Sequence, residues 1–426
     1  MNTKVLIISP YFPPSNAADM QRVRMSLPYF KTYGWEAEVV TVQPQHSDMV
    51  KDDLLMESLP SDIIIHYVQA FDKRWTSKLG LGSIALRSLW FYKQKVDRLL
   101  KQKKYDLIYF STTQFPVCIL AAWWKKRFGT PSVIDLQDPW HSDYYRDKPK
   151  ANRPPKYWFS YRLNKYLEPI AIKSAAGLIS VSDQYITGLK QRYPNITNIP
   201  ATTITFGGFE QDLHIANIHK QRFSTLLDAK FTNIVYVGRG GADMQQALVP
   251  LFTALQAGLK TNPTQFSQIR LYFIGTSYAP NGQGKPSIFP LAEQFHIEKQ
   301  VIEMTDRISY YHALTIMQQA SALFIPGSDD PRYTASKIFP YLLMQKPLLA
   351  IFHDSSSAIN ILQQYGVKHV YNYGDVTQNH VQTFLEETIT EKNKPVEYHH
   401  HAINAYSADE MTKQQCLLFN QVIQCG

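Results

Sequence analysis

The sequence predicts an α/β chain of two Rossmann-like, doubly wound domains. Three observations carry that prediction. Short apolar runs recur along the chain, among them residues 4–9 (KVLIIS), 106–111 (DLIYFS) and 269–274 (IRLYFI), with segments of helical spacing between such runs. The 426 residues are too many for one core and suit two. The strand and helix rhythm lapses between Gln211 and Lys230 and restarts at residues 231–237 (FTNIVYV).

Taken in order, residues 4–9 form the first strand, and the loop PYFPPSNAADMQR follows it. A helix over 23–33 ends at Gly34, and strands follow at 37–42 and 63–68. The loop lacks the G-x-G-x-x-G of dinucleotide binders, which argues against a dehydrogenase. Further strands are expected at 106–111, 132–136 (SVIDL) and 177–181 (GLISV), with a helix over 117–128. In the second half, FTNIVYV runs into Gly238, Arg239, Gly240 and Gly241, and a helix is expected over 245–259. The strand 269–274 ends at Gly275, residues 276–288 read as a mobile loop, and a helix over 312–319 leads to the strand 322–325. The expected domains are 1–210, a linker 211–230, and 231–406, with a last helix over 407–426.

Composition narrows the function. Hydrophobic residues make up 44% and charged residues 19%, as in ordinary soluble proteins. The net charge of +9, from 44 Lys and Arg against 35 Asp and Glu, favours anionic partners. The three cysteines are scattered and fit neither a metal site nor a disulfide framework, which suits a reducing cytosol. The opening apolar run is too short for a signal peptide, and no run reaches membrane-spanning length.

Residues 320–352 are the most informative stretch. A strand ends at Pro326-Gly327, a polar loop follows, and Thr334 or Ser336 is placed to cap a helix running through Ile338 and Leu342. The first N–H groups of a helix beyond a parallel strand attract anions, and Lys337 in that first turn is disfavoured unless an anion answers it. The expectation is a diphosphate pocket; the plainer alternative is a βαβ corner with a solvated lysine.

Residues 71–104 carry ten basic residues against Asp72 and Asp97, interleaved with Trp75, Trp90 and Phe91. Residues 146–173 add eight basic residues against Asp147 and Glu168, together with Tyr157, Trp158, Phe159 and Tyr161. Basic, aromatic and amphipathic character together suits an anionic membrane surface, with Trp75, Arg87, Trp90, Lys93, Lys156 and Trp158 as contact residues. The alternative is a helix with its apolar stripe in the core and its lysines in water.

The segments PYFPPSNAADMQR, VIDLQDPW, GGFE, YVGRGG, DRISYYHAL and TASKIFPYLLMQKPLLAI, in that order, resemble family 4 of the retaining glycosyltransferases. The resemblance implies the GT-B architecture, two Rossmann-like domains facing a cleft, with the last helix returning to the first domain. It implies transfer of a sugar from a UDP- or GDP-linked donor, with no bound metal and no other cofactor, to a glycan or polyprenyl-linked acceptor. The scattered cysteines and the two basic-aromatic stretches set the expected location in the cytoplasm, peripheral at the inner face of the membrane; charge alone would also allow a nucleic-acid partner, but no reading module for one is present. Arg239, Lys337 and the N–H groups of Gly240 and Gly241 would stabilise the leaving diphosphate. Ser15, Asn16, Gly238, Gly275, Arg307, Ile308, Asp330, Thr334 and Ser336 would complete the donor site. Asp138 would contact the sugar or the acceptor; it also reads as a carboxylate capping the Pro139-Trp140 turn.

One departure stands out. The two glutamates with which the family usually holds donor sugar and ribose fall here at Arg332 and Pro340, and neither side chain accepts a hydrogen bond. A non-catalytic protein of the same fold, binding glycan or lipid or assisting a partner transferase, is therefore the second expectation. A sugar-nucleotide epimerase is a third, and it leaves the basic-aromatic surface without a use.

Overall fold

The structure is a computed structural model that describes residues 3–143, 145–146, 148–150, 153–154, 156–279, 282–330, 337–392 and 394–424. The chain divides into two compact units, Met1–Gly207 with Ala408–Gly426, and Gly208–Ser407.

The first unit is built on seven strands: β1 (Thr3–Ile8), β2 (Trp35–Val42), β3 (Ile64–Val68), β4 (Leu107–Ser111), β5 (Ser132–Leu136), β6 (Gly177–Ser180) and β7 (Ala201–Thr203). They lie in the order β3-β2-β1-β4-β5-β6-β7, and each neighbouring pair is parallel. Val5, Leu6, Ile7 and Ile8 are fully buried, as are Leu107 to Phe110, because helices on both faces shield a parallel sheet from water. The C-terminal helix Ala408–Gln424 packs on this unit. Trp35 Nε1 donates to Asn420 Oδ1 at 3.2 Å, Gln415 Nε2 donates to Ser26 Oγ at 2.9 Å, and Phe419 stacks on Phe30.

The second unit repeats the plan with six strands: β8 (Thr232–Val237), β9 (Ile269–Ile274), β10 (Val301–Met304), β11 (Ala322–Pro326), β12 (Leu348–Phe352) and β13 (His369–Asn372). Their order is β10-β9-β8-β11-β12-β13, again parallel throughout. In each unit the order reverses beside the first strand, so the crevice for a ligand opens at the C-terminal ends of β1 and β4, and of β8 and β11.

Three sequence expectations are corrected. The helix expected over 23–33 is two pieces, Gln21–Ser26 and a 3-10 turn Phe30–Tyr33, separated at Pro28, which has no N–H for the helix. Gly34 then closes the turn at φ 80°. The expected linker 211–230 instead holds a helix, Glu210–Ile218. Its partner is the helix Tyr310–Gln319, whose Tyr310 and Tyr311 hydroxyls donate to Asp212 at 2.9 and 3.0 Å; a partner so far along the chain leaves no local signal. The loop 276–288, expected to be mobile, is tied at its described ends to Glu303 on β10. Its carboxylate accepts from the N–H groups of Ser287, Ile288 and Phe289 at 2.7–2.9 Å and from Thr276 Oγ1 at 2.7 Å.

Candidate active site

The most organised polar corner lies in the second unit, where β8 and β11 end. After Val237 the chain turns through Gly238, Arg239, Gly240 and Gly241 into a 3-10 turn, Ala242–Met244, and the helix Gln245–Thr261. Lys337 reaches the same corner from the other side, at the start of the helix Ile338–Leu343. Its Nζ donates to Tyr236 Oη at 2.6 Å, and Tyr236 Oη donates to the Arg239 carbonyl at 2.8 Å. Gly238 leaves room for this contact: a Cβ there would fall on Lys337 Nζ and lie 2.8 Å from Tyr236 Oη, so a side chain would push the lysine tip aside. Gly240 is packed equally tightly, 2.5 Å from Ser287 Oγ and 3.1 Å from Thr276 Cβ as measured from a built Cβ.

Arg239 forms a two-pronged ion pair with Asp243, Nη1 to Oδ1 at 2.9 Å and Nη2 to Oδ2 at 2.5 Å. Ser328 Oγ, from the loop after β11, donates to the same carboxylate at 2.7 Å, and the Asp329 N–H donates to the Asp243 carbonyl at 2.8 Å. Burial alone would raise Asp243, but hydrogen bonds from Arg239 and Ser328 outweigh it and hold the carboxyl below its usual range. Lys337 keeps some surface in contact with water, yet protein atoms crowd its ammonium. That burial, with repulsion from Arg239 and then Arg307 and only partial relief from Asp243, lowers it to about 7. A strongly depressed lysine flanked by two arginines is a place that an anion would stabilise.

The other expected donor residues sit around this corner unevenly. Gly275 ends β9 at φ 74°, in the left-handed region that favours glycine. Arg307 is exposed and lies over the Tyr278 ring at 5.1 Å, and Ile308 beside it is half-buried. Asp330 is half-buried, its N–H donating to Ser328 Oγ at 3.3 Å. Thr334, Ser336 and Arg332 lie outside the described residues. Pro340 stands in the first turn of Ile338–Leu343, where a missing N–H breaks no helical hydrogen bond. One expectation is corrected: the Gly240 N–H donates to the Thr276 carbonyl at 2.8 Å and is not offered to a phosphate.

The first unit has its own polar corner at the ends of β1, β4 and β5. Asp19 is buried, and its Oδ2 accepts from Thr112 Oγ1 at 2.8 Å, Thr113 N–H at 3.0 Å and Thr113 Oγ1 at 3.2 Å. Burial pushes its carboxyl up against those hydrogen bonds. Asp138 follows β5 at the rim and keeps an exposed edge. Although its residue surface is exposed, the protein atoms around its carboxyl, and then the Asp19 charge, push it up to about 6. Ser15 and Asn16 lie in the loop after β1. Ser15 is buried and bridges Lys51, its N–H donates to the Phe12 carbonyl at 3.0 Å, and the Asn16 N–H donates to the Val50 carbonyl at 2.8 Å. Both N–H groups are therefore bonded within the first unit.

The residues expected at a membrane separate into two groups. Trp75 is 70% exposed, Trp90 51% and Trp158 49%, which is unusual for such large rings. Lys156 Nζ donates to the Ser77 carbonyl at 3.4 Å, and the Phe159 ring lies 2.9 Å from a Cβ built on Gly80, so the two basic-aromatic stretches meet on one face. Lys93 lies 4.0 Å above the Trp123 ring and pairs with Asp97 at 3.5 Å. Arg87 is corrected: it is buried, with its guanidinium donating to the carbonyls of Phe71 and His46 at 2.9 and 2.8 Å, so it braces a loop.

Sequence reasoning missed Tyr236, Asp243, Ser328 and Asp19. Of these, Asp243 carried a signal, since it stands four residues after Arg239. Among the described residues no three His, Cys, Asp or Glu side chains group as a metal site would need, and no helix is long and apolar enough to cross a membrane.

No family model matches the chain, and no curated protein matches it. Solved structures do. A UDP-forming trehalose-phosphate synthase from Burkholderia xenovorans, in complex with glucose-6-phosphate, is similar at TM-score 0.58 and 11% identity, covering 98% of this chain and 100% of that one. HepE of Anabaena in complex with UDP-glucose is similar at TM-score 0.54 and 17% identity, covering 99% and 98%. The N-terminal domain of a Candida albicans trehalose-6-phosphate phosphatase is similar at TM-score 0.55 and 13% identity, covering 100% and 96%. At these identities the likeness speaks to fold: the chain has the α/β GT-B architecture of two Rossmann-like domains.

Proposed function

We propose that this chain is a retaining glycosyltransferase, of the family 4 type that its motifs resemble. It would move a sugar from a nucleoside-diphosphate donor to a glycan or polyprenyl-linked acceptor at the cytoplasmic face of a membrane. The observation that carries this is Lys337, held on Tyr236 Oη at 2.6 Å beside the Arg239 turn at the switch point of the second unit. As the bond from the anomeric carbon to the diphosphate breaks, negative charge builds on the leaving oxygens. Cations already in place stabilise that charge without reorganising. Lys337, drawn to its ammonium form by the diphosphate, can supply this role without a metal ion, with Arg239 held beside it in its pair with Asp243. Two structural neighbours hold UDP-glucose or are named as UDP-forming, which favours UDP over GDP as the carrier.

The acceptor belongs with the first unit in this reading. A carboxyl near 6, as at Asp138, is suited to take a hydrogen bond from an attacking hydroxyl near neutral pH. The exposed Trp75, Trp90 and Trp158, with Lys156 and Lys93, would rest on anionic lipid and bring a lipid-linked acceptor near.

The test is calorimetric titration with UDP, GDP, ADP and CMP, followed by a transfer assay. We expect one diphosphate to bind. Lys337→Ala should slow transfer by about 10²–10³-fold, the usual effect of removing one group that stabilises transition-state charge. Transfer at the wild-type rate by that variant sinks the diphosphate role. The second reading, a non-catalytic protein of this fold, is favoured by Pro340, which cannot hold ribose as a glutamate does. Diphosphate binding without turnover against any glycan acceptor would select it.

A further inference from the structure

We infer that Tyr236 is a positioning residue for nucleoside-diphosphate capture, its hydroxyl holding Lys337 and the Arg239 main chain together as one cationic unit. This rests on the reading that the Lys337 corner receives a nucleoside diphosphate.

Tyr236 lies on β8 and is 1% exposed. Its ring packs edge-on against Phe273 at 6.3 Å, so the hydroxyl stands on a rigid post. That hydroxyl accepts from Lys337 Nζ at 2.6 Å and donates to the Arg239 carbonyl at 2.8 Å. Lys337 and Arg239 come from different loops, after β11 and after β8, and this contact fixes one against the other. Two further features guard it. Gly238 leaves the room that a Cβ would take from Lys337 Nζ. Tyr341 Oη accepts from the Val237 N–H at 2.7 Å and donates to the Val237 carbonyl at 3.1 Å, pinning the strand end just before the turn.

Among the described residues the charged groups that act on Lys337 are Arg239, Arg307 and Asp243, two cations against one anion. Burial and the two arginines favour the neutral amine, whereas the Tyr236 oxygen, as an acceptor, favours the ammonium. A bound diphosphate adds negative charge and favours the ammonium further. At pH 8 binding should therefore take up a proton, and affinity should fall as pH rises through about 7.

Tyr236→Phe keeps the ring and removes the acceptor. With that acceptor gone, Lys337 loses its proton at lower pH. UDP affinity at pH 7 should fall about tenfold, as expected for a hydrogen bond to a charged group, and the alkaline limb of affinity should move to lower pH. The pH dependence of Lys337 acetylation, followed by mass spectrometry, reports the same group without any ligand and should shift the same way. Gly238→Ala wedges the same contact from the other side and should reproduce both effects, which covers a Phe variant that folds poorly. If both variants change melting temperature while Lys337 labelling and UDP affinity keep their wild-type pH profiles, Tyr236 is merely structural and the inference is overturned. If the labelling profile shifts but no nucleoside diphosphate binds the wild type, the Tyr236–Lys337 linkage stands and the donor reading fails.

Discussion

Arg22 and Asp135 are both fully buried, with Arg22 Nε 2.8 Å from Asp135 Oδ2. The other guanidinium nitrogens donate to the carbonyls of Ile204 and Thr205, and Ser111 Oγ and Gln137 Nε2 donate to the same carboxylate oxygen. A buried pair of this kind is costly to break, because the surviving charge keeps its desolvation penalty. Arg22→Met should destabilise the protein by about 3–5 kcal/mol in urea unfolding. Replacing both partners, Arg22→Met with Asp135→Leu, should recover much of that loss, and a double variant as unstable as the single one would contradict the account. The pair shows what single residues disclose in advance. Arg239 and Lys337 were legible because each follows a strand end or opens a helix. Arg22 and Asp135 sit 113 positions apart, and nothing in either neighbourhood announces the other. Tyr236 was hidden for the same reason: in sequence it is one more apolar strand residue, and its hydroxyl gains a role when two loops meet over it.

At the scale of elements, side chains tie strands and loops that the backbone leaves separate. Glu38 on β2 accepts from His66 on β3 at 2.8 Å, from Tyr105 Oη at 2.7 Å and from Lys103 at 2.5 Å. Burial alone would raise its carboxyl, but these three partners outweigh burial and bring it down to about 2 from 4.5. A folded-state value below the unfolded one means that the unfolded chain binds the proton more readily. The stabilisation is full above 4.5 and is lost as pH falls towards 2. It amounts to about 3 kcal/mol at neutral pH. Unfolding measured between pH 7 and pH 2.5 should show this loss in the wild type and little of it in Glu38→Gln; parallel curves would remove Glu38 from acid stability. Glu303 does a similar service in the second unit, capping the start of the helix Phe289–Gln294 with its carboxylate. Composition made residues 276–288 look loose, because Gly, Pro and Ser describe local freedom and not the carboxylate that waits on a neighbouring strand.

For the molecule as a whole, a net charge of +9 and an exposed basic-aromatic face point towards anionic surfaces. Vesicles containing phosphatidylserine should bind the protein at low salt and release it at about 1 M salt, where the screening length is roughly 3 Å. Trp75→Ala with Trp158→Ala should weaken binding at every salt concentration, whereas Arg87→Ala should act through stability, since that side chain is buried. Neutral vesicles binding as well as anionic ones would remove the electrostatic part of this reading.

The sequence by itself determined the class of fold, the count of two units and most of the strands, because period and length are local properties that burial on both faces of a parallel sheet imposes. It also singled out Lys337 and Arg239, since strand ends and helix starts are where a Rossmann-like unit exposes polar backbone. Tertiary structure decided which of the candidate groups remain offered to a ligand. The N–H group of Gly240 and the guanidinium of Arg87 were both candidates in sequence, and each is spent on a carbonyl elsewhere in its own unit. A buried donor or acceptor takes the nearest partner the fold supplies. Which partner is nearest depends on contacts between loops far apart in the chain, and no local pattern records them.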